Sequence, residues 1–333
     1  MFTRIMMLVL TLLWSNMLMS GAPEKGVPGK DVTVNIVHDG QQRSFVLHLP
    51  THYDGKTLLP MLIGVHGYSG TGIRLENQYM QIFDHINEQN YIGIFPNGQH
   101  ASEEEAWATG FNDIGSLNDS GPDGLTCNPP PYAYPVFENC PESVRDRQCY
   151  WGNSCADDLG FFRKMIEHML ETYSVDSKQI YMTGHSQGGS TINWFAAELQ
   201  DLLAAVAPVE GFQTNGYARG AKNKLPFLQV WGRQDKTMPG LGEVAPDNLI
   251  YESAAETAAI WAEAQGCSVD GNTPYPTVSD GKYGWACTQH ANCKNGSEVV
   301  TCAFDGEHAW PRKDDDHFGF DVVWDFFQKH QKP

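Results

Sequence analysis

The sequence is poor in positive charge and, past its first residues, in long apolar runs. Lys and Arg number 22 against 40 Asp and Glu, giving a formal net charge of −18 at pH 7. So acidic a surface argues against nucleic acid and anionic membranes as partners. Beyond residue 22 no segment is apolar enough to cross a bilayer. There is no internal repeat and no domain linker. Cysteine is absent before residue 127, and the eight that follow never take the paired C-x2-C spacing of a zinc site. No metal and no cofactor is expected.

What is present begins with a leader. Arg4 precedes an apolar run over 5–13 that continues loosely to 19, followed by the small residues Ser20, Gly21 and Ala22. This is the pattern of a secretory signal peptide, with residues 1–22 expected to be removed and 23–333 to form the mature chain. A membrane anchor is the competing reading, but the run is short and contains Ser15 and Asn16. Losing Arg4 makes the mature chain about one unit more negative. A secreted monomer is expected. An even number of cysteines behind a leader reads as up to four disulfides among Cys127, Cys140, Cys149, Cys155, Cys267, Cys287, Cys293 and Cys302. Asn118-Asp119-Ser120 and Asn295-Gly296-Ser297 would be glycosylation sequons in a eukaryotic source.

The mature chain, about 310 residues, suits a single α/β domain burying roughly three quarters of its unfolded surface. Residues 32–37 and 44–49 flank Asp39-Gly40 as an opening hairpin, and the apolar run 58–65 is a buried strand closed by His66-Gly67. A helix over about 73–88 and a strand over 91–95 follow. Residues 97–155 break the rhythm: they are rich in Gly, Asn, Asp and Pro and hold Cys127, Cys140, Cys149 and Cys155. So long a loop in a compact domain is functional or disordered, and the cysteines favour an ordered, stapled insertion resembling a lid. Helix 157–173, strand 179–183, helix 187–200, strands 204–209 and 226–231, helix 250–265, strand 298–304 and helix 317–329 complete the series. Strands alternating with helices imply a mostly parallel central sheet with helices on both faces.

The stretch Gly184-His185-Ser186-Gln187-Gly188 matches G-x-S-x-G between an expected strand and an expected helix. A serine on so sharp a turn needs neighbours without side chains two residues to either side, which explains the glycines. An ordinary Gly-rich turn is the bland alternative, and the strand-turn-helix setting speaks against it. In this α/β-hydrolase arrangement the acid and the base follow the nucleophile in chain order. Asp235 follows the strand 226–231, and His308 follows the last strand in Asp305-Gly306-Glu307-His308. Asp247 and Glu243 rival Asp235 but lie deeper in a Pro/Gly-rich loop; His317 rivals His308 but opens the final helix. The oxyanion hole is expected from the backbone N–H groups of Gln187 and of Tyr68, in the loop His66-Gly67-Tyr68-Ser69-Gly70.

Four segments carry a resemblance: Leu59-Pro60-Met61-Leu62-Ile63-Gly64-Val65-His66-Gly67, Asp157-Asp158-Leu159-Gly160-Phe161, Gly184 to Gly189, and Gly306-Glu307-His308-Ala309-Trp310-Pro311. In this order and spacing they cover most of 40–330, and the chain resembles secreted esterases of the polyhydroxybutyrate depolymerase and feruloyl esterase type. The resemblance implies the α/β-hydrolase fold and the triad Ser186, Asp235 and His308. It also suggests a Cys267–Cys293 pair, which leaves Cys287 with Cys302 and the upstream four to bridge among themselves. Trp231 stands where members of the group often have histidine, and the segment 127–155 is longer than in simple bacterial members.

The expected activity is hydrolysis of carboxylic esters through an acyl-enzyme. The substrate would be a hydroxyalkanoate polyester, or feruloyl or acetyl groups on polysaccharide. Trp151, Trp231 and Trp310 are candidate substrate contacts, and for Trp231 a core position is the stronger reading. A serine peptidase on the same fold and a catalytically inactive binding protein are the rivals. The first lacks room for the large N-terminal propeller of oligopeptidases, and the second would be expected to have lost a triad residue.

Overall fold

Apolar runs too short for helices build the centre of one ten-stranded sheet. The structure, a computed structural model, describes residues 25–113, 118–129, 134–150, 152–269 and 271–332. The expected leader and Trp151 lie outside them. In chain order the strands are β1 (Asp31–His38), β2 (Gln41–His48), β3 (Leu59–Val65), β4 (Ile92–Pro96), β5 (Val175–His185), β6 (Ala205–Val209), β7 (Phe227–Gly232), β8 (Thr273–Pro274), β9 (Ala286–Gln289) and β10 (Val299–Phe304). Their order across the sheet is β1-β2-β4-β3-β5-β6-β7-β10-β9-β8. From β4 to β10 every neighbour is parallel. Antiparallel strands finish both edges, β1 and β2 on one side, β9 and β8 on the other.

Side chains alternate across each strand, so one sheet serves two cores. Met61, Ile63 and Val65 of β3 pack with Phe162, Met165 and Phe195, from helices α2 (Asp158–Thr172) and α3 (Gln187–Glu198). Trp261 of α4 (Ala254–Ala264) closes that face, stacked on Phe227 with centroids 4.3 Å apart. Leu62 faces the other way, toward Phe320, Val323 and Trp324 of α5 (Phe318–Gln328). Ser253 and Glu256 cap α4 reciprocally, a device that satisfies two orphan N–H groups and fixes where the helix begins.

The helix expected over 73–88 is not continuous. A turn at Gly72–Arg74 runs into a π-helical turn, Leu75–Met80, and the chain reverses at Gln81 (φ 53°) before helix α1 (Phe83–Gln89). π-turns of this kind recur at functional sites because they redirect a side chain.

The described part of the insertion has a small core of its own, with Ala101, Ala108, Phe137, Val144 and Tyr150, and a second cluster shared with Phe212, Leu249 and Tyr251 of the body. It holds two short hairpins, Gln99–His100 with Thr109–Gly110 and Ser120–Gly121 with Gly124–Leu125, and after them the disulfides Cys127–Cys149 and Cys140–Cys155. The buried carboxylate of Asp158 anchors it to the body: Oδ2 accepts from the Asn112 N–H and from Ser154 Oγ, both at 2.7 Å, while Oδ1 pairs with Arg43. Cys267 pairs with Cys293, and Cys287 on β9 with Cys302 directly opposite on β10. No helix of the described residues is long and apolar enough to cross a membrane.

Candidate active site

β5 ends at His185 and α3 begins at Gln187, which leaves Ser186 alone between them at φ 59° and ψ −127°. Only a tightly held turn keeps a non-glycine residue there. Its N–H donates to Val209 O of the neighbouring strand at 3.0 Å. A Cβ on Gly184 would stand 2.6 Å from Val65 O, and one on Gly188 2.2 Å from the same oxygen. Both glycines therefore let the turn press onto the end of β3, and the hydroxyl is left above the sheet edge.

His308 lies in the loop after β10, and its ring joins the serine to a carboxylate. Nε2 is 2.8 Å from Ser186 Oγ, and Nδ1 is 2.7 Å from Asp235 Oδ2. Asp235 follows β7 with its side chain 1% exposed. Its other oxygen accepts the N–H groups of Thr237 and Met238 at 2.8 and 3.0 Å. Those bonds fix the carboxylate toward the ring. Asp247 is elsewhere: its carboxylate accepts from Tyr134 Oη and the Leu249 N–H, both at 3.1 Å.

Two features bear on the expected oxyanion hole. Gln187 is the first residue of α3, so its N–H has no carbonyl one turn back to bond. Tyr68 belongs to the loop after β3, which is held by buried His66: Nε2 accepts the Gly98 N–H at 2.9 Å and Nδ1 donates to Gly67 O at 2.7 Å. Burial lowers the His66 pKa to about 4, so the ring stays neutral with both nitrogens committed. The ring of Tyr68 packs edge-on against Trp107 and Tyr134, with centroids 6.3 and 5.4 Å away. The Gln187 side chain reaches into the insertion, donating to Gly152 O at 3.1 Å and Asn153 Oδ1 at 2.8 Å.

A cleft of about 180 Å³ opens beside the serine, walled by Tyr68, Leu75, Tyr79, His185 and His308 among others. The sulfur of buried Met238 lies 3.9 Å from Ser186 Oγ. Trp231 is half-buried and packs against Gly240, where a Cβ would meet its ring at 2.4 Å. Trp310 is 4% exposed and lies in the core beneath the His308 loop, beside Phe320. Its apolar surface is used there, which removes it from the walls of this cleft.

The sequence reading missed Glu210, which ends the apolar run of β6 and is fully buried at φ 46°. Burial and then the Asp235 charge push its carboxyl well above the ordinary range. Oε2 is 3.1 Å from Nε2 of His185, whose imidazole burial holds well below its usual value. The signal was available: a lone acid directly after an apolar strand, in Val209-Glu210-Gly211. Donor atoms of His185, Glu210 and His308 fall within 4.8 Å of one another, but Nδ1 of His308 is already committed to Asp235.

Residues 147–236 match the prolyl oligopeptidase family. Among curated proteins, the chain is 32% identical over 182 residues to feruloyl esterase B of Piromyces equi, an alignment covering 51% of this chain and 32% of that one. It is 22% identical to feruloyl esterase D of Neurospora crassa (54% and 58% covered) and 21% identical to feruloyl esterase C of Emericella nidulans (92% of each). The chain thus spans about a third of the first of these relatives and 58% of the second. Among solved structures, an acetyl xylan esterase from Aspergillus awamori superposes with TM-score 0.59 at 14% identity, over 90% of this chain and 99% of that one. An acylaminoacyl peptidase from Pyrococcus horikoshii superposes with TM-score 0.51 at 14% identity, over 91% and 42%. At such identities these structures show the α/β-hydrolase fold.

Proposed function

We propose that this chain, a member of the feruloyl esterase type of serine hydrolase on the α/β-hydrolase fold, cleaves carboxylic esters with Ser186 as nucleophile. The observation that carries the reading is the single imidazole of His308 in hydrogen-bond reach of both Ser186 Oγ and Asp235 Oδ2. His308 Nε2 takes the hydroxyl proton as Ser186 Oγ attacks the ester carbonyl. Asp235 accepts from Nδ1–H, fixing the tautomer that leaves Nε2 free to do so and stabilising the imidazolium that forms. The N–H groups of Tyr68 and Gln187 receive the oxyanion. His308 returns the proton to the leaving alcohol, and water, activated by the same nitrogen, then releases the acid from the acyl-serine.

The proposed substrates are hydroxycinnamoyl or acetyl esters of polysaccharide, in preference to hydroxyalkanoate polyesters. A small cleft bordered by the rings of Tyr68 and Tyr79 suits one acyl group, not a polymer chain threaded through. The names of the curated relatives point the same way. Secretion is proposed on the leader-like sequence together with four disulfides, which persist in oxidising compartments. The prolyl oligopeptidase match keeps amide hydrolysis as a second reading. Initial rates on methyl ferulate, p-nitrophenyl acetate, a hydroxybutyrate oligomer and a peptide p-nitroanilide separate the classes. Preference for the first two supports the proposal; preference for the anilide or the oligomer sinks it.

A further inference from the structure

On the far side of the cleft wall lies a cluster that the proposed reaction does not use. Asp31 begins β1, His48 ends β2, and Glu76 sits in the π-helical turn. His48 and Glu76 have fully buried side chains, and that of Asp31 is 20% exposed. His48 Nδ1 is 2.7 Å from Glu76 Oε1 and 3.0 Å from Asp31 Oδ1, and the three donor atoms lie within 4.8 Å of one another.

We propose that Asp31, His48 and Glu76 form a binding site for a divalent ion of the zinc type. Three observations point to a cation here beyond the clustering itself. Glu76 Oε2 is buried with no hydrogen-bond partner, so it has lost the water donors that solvate a carboxylate and has an open position for an electropositive ligand. Two carboxylates face one imidazole, so a dication with a neutral imidazole would balance the two carboxylates. The outer contacts are also those of a ligand set. His48 Nε2 stands 3.4 Å from Asn87 Oδ1, which itself accepts the Thr51 N–H, and Asn77 Nδ2 donates to Asp31 Oδ2 at 3.0 Å. Ligating histidines hold their second nitrogen, and ligating carboxylates their second oxygen, in this way.

One imidazole nitrogen with two carboxylates suits zinc, and the partly exposed Asp31 leaves room for entry and for a water as fourth ligand. The present spacing is that of a shared proton. Binding therefore releases the Nδ1 proton to solvent and spreads the donors to about 3.3 Å, as bonds of about 2.0–2.1 Å require. The residues are too scattered in sequence for any motif to reveal them. Because Glu76 belongs to the same π-turn as Leu75 and Tyr79, the ion would brace one wall of the cleft from behind.

The test strips the purified mature chain with EDTA, reloads it with zinc chloride, desalts it and counts metal by mass spectrometry. Wild type and His308→Ala are expected to retain about one zinc per chain, Glu76→Gln and His48→Gln none. Zinc should raise the wild-type Tm by about 3 °C or more and leave Glu76→Gln unmoved. A wild type that retains no zinc, or a folded Glu76→Gln that keeps it, overturns the site. Should both variants fail to fold, X-ray absorption on the zinc-loaded wild type decides. A first shell of nitrogen and oxygen with one imidazole is expected; sulfur ligands, or no imidazole, contradict it.

Discussion

Glu210 Oε2 lies 3.1 Å from Nε2 of His185, and the same oxygen lies 3.8 Å from Nδ1 of His308, where Asp235 holds the shorter contact of 2.7 Å. Two carboxylates thus share one side of the His308 ring, and burial and the Asp235 charge favour the protonated form of Glu210. Glu210→Gln keeps that neutral shape and should retain kcat within about tenfold. Glu210→Ala, which empties the buried space beside His185, should lower kcat further. A Gln variant as inactive as Asp235→Asn would show that Glu210 is the ionised partner of His308.

Asp235→Asn should cut kcat by on the order of 10⁴, because the amide would hold His308 in the wrong tautomer. Asp247→Asn should stay within a few-fold, since that carboxylate bonds Tyr134 and Leu249. Kinetics on one activated ester for both variants checks this. The reverse ranking would move the acid into the later loop.

The Cys267–Cys293 bridge, with a sequence separation of 26, should contribute about 3.5 kcal/mol by restricting the unfolded chain. Together with Cys287–Cys302 it fastens the segment leading into β10 and the His308 loop. Reduction is expected to cost activity before the far-ultraviolet circular dichroism changes. Full activity in a reduced, still-folded protein would contradict that positioning role.

Glu252 is 5% exposed, and burial raises its pKa to about 7 although Oε1 accepts the N–H groups of Gly216 and Ala218. A carboxyl whose folded pKa is raised keeps its proton between about pH 4.5 and 7 while the unfolded chain ionises, so its burden on stability is absent below that window and complete above it. Glu252→Gln should match wild type near pH 4.5 and be more stable at pH 8, by up to about 3 kcal/mol. Denaturant midpoints at the two pH values test this; an equal difference at both would contradict it.

The alternation of strands and helices was legible because the buried strands are continuous apolar runs, and Ser186 was legible because its glycine neighbours have one steric cause. Edge strands carry less signal. β9 is only four residues long and half exposed (Ala286–Gln289), and the Cys287–Cys302 bridge helps to hold it, which no periodicity records. The break at Gln81 was hidden because a left-handed glutamine leaves no mark in an otherwise amphipathic stretch. Trp310 read equally well as a sugar platform or as core, and only packing against Phe320 separates the two.

The most direct test of the central claim is to catch the acyl group. Rapid quenching of the enzyme with p-nitrophenyl ferulate should give a burst of about one p-nitrophenolate per chain. Peptide mass mapping should then place one feruloyl group on Ser186. Ser186→Ala should be folded, lack the burst and retain less than about 10⁻⁴ of the turnover. A burst that survives in Ser186→Ala, or an acyl group on any other residue, would contradict the account.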